Sequence, residues 1–223
     1  MKKYTVLLCL QFFCTYAEID KNILKKYLPH NPIIIDAGAH DGRTSMELSS
    51  FWPEGVVYAF EPVPELYNSL LIRINGRENI IPSRLALGES IGIQKIYISQ
   101  GRGDGSSSLL KPTGHLQHFP DVTFAKETSV HVTTMDAWAQ DNKISHVDLL
   151  WLDLQGMEFQ VLKASPQILK TVKAILTEIN FTVLYEGNAL YPVFKQWRAE
   201  QGFVEVYKEL QHHTFGDALF VRI

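Results

Sequence analysis

Three apolar runs in this chain end on a carboxylate, and that pattern restricts the fold more than any other feature. Ile33-Ile34-Ile35 leads into Asp36, Val56-Val57-Tyr58-Ala59-Phe60 into Glu61, and Leu149-Leu150-Trp151-Leu152 into Asp153. Short continuous apolar runs, rich in β-branched residues, are the pattern of strands buried on both faces of a parallel sheet. Each run is followed by a turn and a helix-like segment. Alternation of this kind predicts an α/β fold, and in such sheets ligands bind outside the carboxyl ends of the strands. The three acids would then share one rim. A further apolar run, Ala174 to Ile179, also carries an acid near its end, Glu178.

The first of these turns has a defined chemistry. Asp36-Ala37-Gly38-Ala39-His40-Asp41-Gly42 reads D-x-G-x-x-x-G, with Arg43-Thr44-Ser45-Met46-Glu47-Leu48 behind it as a helix start. Gly38 and Gly42 allow backbone angles and close approaches that a Cβ would block. Dinucleotide sites use G-x-G-x-x-G so that a pyrophosphate can sit on helix amides. An acid at the strand end would repel a pyrophosphate and would suit a cationic, hydroxyl-rich ligand such as S-adenosylmethionine. Glu61 lies 25 residues beyond Asp36 at the end of the next strand. An acid there matches a pair of ribose hydroxyls, and its charge strengthens both hydrogen bonds. Simpler structural readings stand beside these: Asp36 as a helix cap, and Glu61 as an acid favoured by a helix dipole.

Length and composition narrow the remaining choices. The 223 residues suit one domain, and 46% apolar content allows a sizeable core. A net charge of −3 gives no electrostatic case for nucleic acid. Both cysteines, Cys9 and Cys14, lie near the N-terminus, so the rest of the chain has no disulfide or cysteine metal site. His115, His118, His212 and His213 have no supporting cluster of acids, and they are expected to be surface residues, with no metal. Lys2 and Lys3 precede an apolar run from Tyr4 to Ala17 that is laid out like a signal peptide and is short for a membrane span. Residues 1–30 are therefore expected to form a helical segment or a signal or anchor, and 31–223 the cofactor-binding domain. Any membrane association would come through the N-terminal segment. Supply of the cofactor favours a cytoplasmic location.

Further along, Pro64 to Ile74 predicts a helix with Pro in its first turn and Gly76 past its end. Ile80 to Leu87 predicts a third strand at a sheet edge, because Pro82 lacks an N–H. Ile91 to Ser99 and Thr128 to Thr134 predict two more strands. Gly101 to Ser108 predicts a flexible loop that serves as a lid or is disordered. Short helices are predicted over Asp20 to Tyr27, Asp136 to Gln140, Met157 to Leu162 and Pro192 to Gln201. Phe203 to Leu210 and Ala218 to Ile223 complete the chain as a strand pair.

Taken together, these stretches resemble the FkbM family of S-adenosylmethionine-dependent methyltransferases. The resemblance rests on Ile35 to Gly42, Ala59-Phe60-Glu61-Pro62-Val63-Pro64, Ala86-Leu87-Gly88, and Thr134-Met135-Asp136 leading into Val147 to Glu158. It implies a doubly wound, mostly parallel seven-stranded sheet with helices on both faces and an antiparallel last strand. It also implies O-methyl transfer to a sugar-containing or other small-molecule acceptor. The cofactor site it implies comprises Asp36, Ala37, Gly38, Ala39, His40, Gly42, Thr44, Glu61, Pro62, Leu85, Ala86 and Asp153. The Asp36–Gly42 stretch would lie at the methionine end, Glu61 at the ribose, and Leu85 and Ala86 at the adenine. Many members carry Lys two residues before the Asp153 position and Glu two after it. This chain has Trp151 and Gln155 there. A hydroxyl acceptor must lose a proton, and Asp153 is the first candidate base, ahead of Glu178 and His40. A nicotinamide oxidoreductase and a non-catalytic binding module of the same fold, exported if the N-terminal segment is a signal, are the alternatives.

Overall fold

A computed structural model describes residues 19–101 and 103–223. The signal-like reading of residues 1–17 lies outside the described residues. The chain alternates strand and helix through β1 (Ile33–Ala37), α1 (Arg43–Phe51), β2 (Val56–Phe60), α2 (Pro64–Arg73) and β3 (Ile80–Ser83). A second group of strands follows: β4 (Ala86–Leu87), β5 (Gly92–Gly101), α3 (His115–His118) and β6 (Val122–Thr133). The alternation then resumes with α4 (Met135–Asp141), β7 (Leu149–Leu152), α5 (Glu158–Lys163), α6 (Pro166–Leu169), β8 (Ala174–Asn180) and α7 (Tyr191–Glu200). β9 (Phe203–Leu210) and β10 (Phe215–Arg222) end it.

The main sheet has seven strands in the order β3-β2-β1-β7-β8-β10-β9. The first five are parallel, and β10 runs antiparallel to both of its neighbours. Its central strands β1, β7 and the first half of β8 are largely apolar because successive side chains enter two different cores. Ile34, Leu149 and Leu176 pack with Leu48 of α1 and Leu70 of α2. Their neighbours Ile35, Leu150 and Ile175 pack with Trp138 of α4, Val161 of α5 and Phe194 of α7. Burying each such side chain contributes about 1.5–3 kcal/mol. Crossovers leave β1 towards β2 on one side and reach β7 on the other. The topological switch point is therefore at the carboxyl end of β1.

Several boundaries differ from the sequence expectations. Ile80–Leu87 is two strands: β3 is the edge strand beside β2, while β4 pairs with β6 in a separate three-stranded sheet. The chain turns at Arg84 and Leu85 and so leaves the first sheet. The expected Asp20–Tyr27 helix is only a 3₁₀ turn over Leu24–Lys26. Tertiary burial of Ile19, Leu24 and Leu28 holds this stretch, and a helix that short has little stability of its own. β7 is confined to four residues, since the Asp148 carboxylate accepts the Ile33 N–H at 2.9 Å and pairs with Lys173 at 2.9 Å. His115, expected at the surface, is buried against Phe119, Phe124 and Tyr185. Burial pushes its imidazole down to about 4, because the charged form loses water.

Candidate active site

β1, β2 and β7 end side by side, and their end residues build one cleft. Asp36 and Trp151, and Ala37 and Leu152, are register partners across β1 and β7, so Asp153 follows directly beside the glycine loop. The Asp153 N–H donates to Ala37 O at 3.0 Å. On the other side, Gly38 N and Ala39 N both donate to Phe60 O, at 3.0 and 2.9 Å. The loop is thereby pinned between two strands, and Gly38, at φ 84, passes directly over the Asp153 carbonyl.

Seven of the residues expected from sequence line this cleft: Gly38, His40, Glu61, Pro62, Leu85, Ala86 and Asp153. Five do not. Asp36 lies beneath the loop, where its Oδ2 accepts the Ser45 hydroxyl at 2.5 Å. Ala37 and Ala39 belong to the two cores, Thr44 is buried in α1, and Gly42 faces Leu70 and Ile74. Of the Asp36–Gly42 stretch, Gly38 and His40 line the cleft. Alternation along the strand and packing on α2 send half of it inward. Asp41 also serves the loop rather than the cleft, since Arg73 of α2 holds both its carboxylate and its carbonyl.

The cleft has a polar end and an apolar end. At the apolar end stand Phe60, Val63, Leu66, Leu87, Ile96 and Leu109, a wall suited to a flat heterocycle. At the polar end Glu61 accepts the His40 N–H on Oε2 at 2.9 Å and the Val63 N–H on Oε1 at 2.8 Å. A carboxylate has about four lone-pair sites, so each oxygen keeps capacity for a ligand hydroxyl. Asp104 closes over this end, 3.3 Å from His40 Nε2. With Gly105, Ser107, Ser108 and Leu109 it roofs the cleft, leaving about 60 Å³ of free space. Of the stretch expected to be flexible, residues 103–108 are folded back on β5. Tyr97 and Ser108 exchange backbone hydrogen bonds, and Ser107 Oγ accepts the Ser99 N–H at 3.0 Å.

Behind the cleft lies an acidic cluster. Burial pushes the Asp36 carboxyl up to about 7, with the Asp153 charge adding to it against the Ser45 hydrogen bond. Burial likewise takes Glu61 and Glu158 up to about 7. Asp153 is raised by burial and opposed by its hydrogen bond from Gln155. Glu178 is raised well above the carboxylate range by burial and by the charges of Asp153, Glu158 and Asp217. It sits two residues before the end of β8, short of the strand end that sequence suggested. Glu158 and Gln155 are the members that sequence reasoning did not place in the site. Glu158 Oε1 accepts the Leu154 and Gly156 N–H groups and so shapes the β7–α5 turn. Trp151 points away, into the core beneath α1. Among the described residues no His, Cys, Asp and Glu cluster is arranged to hold a metal ion.

This arrangement gives stability a definite pH dependence. Asp36 moves from 3.8 to about 7, and Glu61 and Glu158 from 4.5 to about 7. In each case the folded state binds the proton more tightly than the unfolded chain, so stability falls as pH rises through that window. His115 moves the other way, from 6.5 to about 4, and its contribution is lost on acidification. Each shift is linked to roughly 3–4.5 kcal/mol, so three carboxylates outweigh one imidazole. The ligand-free protein should melt several degrees higher near pH 5.5 than at pH 8. Asp36→Asn should raise the pH 8 melting temperature and flatten the profile. A melting temperature that drops steadily from pH 8 to pH 5.5 would refute this.

Comparison with known proteins follows the same lines. The family model described as "Methyltransferase FkbM domain" matches residues 36–215. The chain is 26% identical over 176 residues to "2-O-methyltransferase NoeI" of Sinorhizobium fredii, covering 77% of this chain and 72% of that protein. It is 24% identical over 200 residues to "Methyltransferase sdnD" of Sordaria araneosa, covering 79% and 75%. Among solved structures it resembles the methyltransferase FkbM of Methylobacillus flagellatus (TM-score 0.53, 14% identity, 86% of this chain and 44% of that one). A similar likeness links it to magnesium protoporphyrin IX methyltransferase of Synechocystis (TM-score 0.52, 9% identity, 90% and 74%). The family match decides against the nicotinamide alternative.

Proposed function

This chain belongs to the FkbM methyltransferase family, and we propose that it moves a methyl group from S-adenosylmethionine to a hydroxyl of a small-molecule or glycan acceptor, with Asp153 as the base. The observation that carries this reading is the convergence of Glu61 and Asp153 on one cleft with an apolar wall. These residues fit the cofactor: Glu61 offers acceptors to ribose hydroxyls, the wall suits adenine, and the acids suit a cation. The named 2-O-methyltransferase relative supports a hydroxyl acceptor.

When bound, S-adenosylmethionine supplies a methyl group already activated by a sulfonium, so the protein has mainly to align it with the acceptor. His40 and Glu61 secure the loop on the cofactor side. Asp153, half-buried at the cleft wall, takes the proton of the acceptor hydroxyl as that oxygen gains the methyl group. Free space of about 60 Å³ is far below the ~300–1,000 Å³ of small-molecule sites. The Asp104–Leu109 roof must therefore lift to admit ligand, and on closing it excludes water.

Calorimetry with S-adenosylmethionine and with NAD tests the cofactor. Labelled methyl donor supplied to a lysate, with and without the protein, identifies the acceptor. In Asp153→Asn, transfer to that acceptor should fall by about 10²–10⁴-fold while affinity for S-adenosylhomocysteine is retained. Unchanged transfer would remove Asp153 as the base. Loss of affinity alone would make it a cofactor-orienting residue.

A further inference from the structure

We infer that Gln155 is a positioning residue for Asp153, its side-chain amide clamping the Asp153 carboxylate at the cleft wall. The inference rests on the reading of Asp153 as the base. Gln155 occupies the turn between β7 and α5 with φ 52, a left-handed conformation uncommon for a residue with a side chain. That conformation places its amide between two carboxylates. Nε2 donates to Asp153 Oδ1 at 2.6 Å and to Glu178 Oε2 at 3.1 Å. Oε1 accepts the hydroxyl of Tyr185 at 3.0 Å.

A primary amide has two N–H protons and one carbonyl, and all are used. The reverse orientation would set the amide oxygen against two carboxylate oxygens and leave both acids without this donor. The chemistry therefore fixes which way the amide points. The identity of the residue also matters. Glutamate at this position would bring a third carboxylate into contact with two others, whereas glutamine binds both without adding charge. Asp153 Oδ1 is held, and the carboxylate cannot swing.

The same residue joins this clamp to the roof. Gln155 O accepts the Ser108 hydroxyl at 2.8 Å, and the wholly buried Tyr185 sends its hydroxyl to within 2.9 Å of Ser106 O. Ser106 and Ser108 belong to the segment that covers the cleft. Closure of the roof and alignment of Asp153 thus meet at one residue, through its backbone carbonyl and its side chain.

The test is a ¹³C-carboxyl NMR titration of Asp153 in the S-adenosylhomocysteine complex, with circular dichroism to confirm folding. Gln155→Leu removes the amide, Gln155→Glu replaces it with an acid, and Tyr185→Phe removes only the hydroxyl behind it. The Asp153 midpoint should rise by about one pH unit in Gln155→Leu, further in Gln155→Glu, and by less in Tyr185→Phe. The acidic limb of methyl transfer to the lysate acceptor should move with it, while affinity for S-adenosylhomocysteine stays within about threefold. An unmoved midpoint in folded Gln155→Leu and Tyr185→Phe overturns the inference. If Asp153→Asn abolishes transfer and the Gln155 variants leave the pH profile unmoved, the positioning role fails alone. If Asp153→Asn transfers normally while the midpoint still moves, the base reading fails and the clamp stands.

Discussion

Gly38→Ala is expected to lower the melting temperature by about 10 °C and to abolish cofactor binding. A Cβ on Gly38 would stand 2.0 Å from the carbonyl oxygen of Asp153, and φ there is +84. Neither partner can retreat easily. The Asp153 N–H is bonded to Ala37 O, and the Gly38 and Ala39 N–H groups are bonded to Phe60 O. Overpacking against fixed backbone costs about 1–3 kcal/mol, and a left-handed angle forced on alanine adds about another 1 kcal/mol. For a chain of this size each kcal/mol is worth about 2–4 °C. Gly76→Ala is the matched control: φ there is +80, with no atom within 4 Å of the added Cβ. It should show the backbone cost alone. Equal melting temperatures for the two variants would show that close approach at Gly38 is not the constraint.

Glu61→Ala is expected to weaken S-adenosylmethionine binding by about 10²-fold, since hydrogen bonds to a charged group are worth about 1.5–3 kcal/mol each. The carboxylate does two jobs. It accepts the N–H groups of His40 and Val63, which fixes the glycine loop against the turn after β2. It also faces the cleft, where ribose hydroxyls would donate to it. Glu61→Gln keeps the size but replaces one acceptor oxygen with a donor, which meets either the His40 or the Val63 N–H. Its affinity should therefore fall nearly as far as that of Glu61→Ala. Calorimetry on both variants measures this, and affinity within about threefold of the parent protein would remove Glu61 from the site.

Much of this architecture is legible before folding because it is written locally. Ile33–Ile35, Val56–Phe60 and Leu149–Leu152 announce buried parallel strands through composition alone. The acids that follow them need only the strand direction to be placed on one rim. Pro64 and Gly76 likewise mark the start and end of α2 from their own backbone preferences. Inside the glycine loop the limit is already visible. Asp36 and Glu61 look alike as strand-end acids, yet one is bonded to Ser45 beneath the loop and the other faces the cleft. The difference is two residues of register: Asp36 pairs with Ala59 inside the sheet, whereas Glu61 lies one residue past the last paired residue of β2.

By itself, then, the sequence determines the α/β alternation, the glycine loop and the three carboxylates that close its strands, because continuous apolar runs and φ-permissive glycines act over a few residues. Only the tertiary structure decides which chain segments meet across long gaps. It breaks Ile80–Leu87 between two sheets, buries His115, and lays the Asp104–Leu109 stretch over the cleft. It also brings Tyr185 onto Gln155, 30 residues apart, and Ser108 onto the same residue, 47 apart. No local preference encodes such contacts. They exist because sheet order and core packing bury these polar groups side by side, where they pair with one another instead of with water.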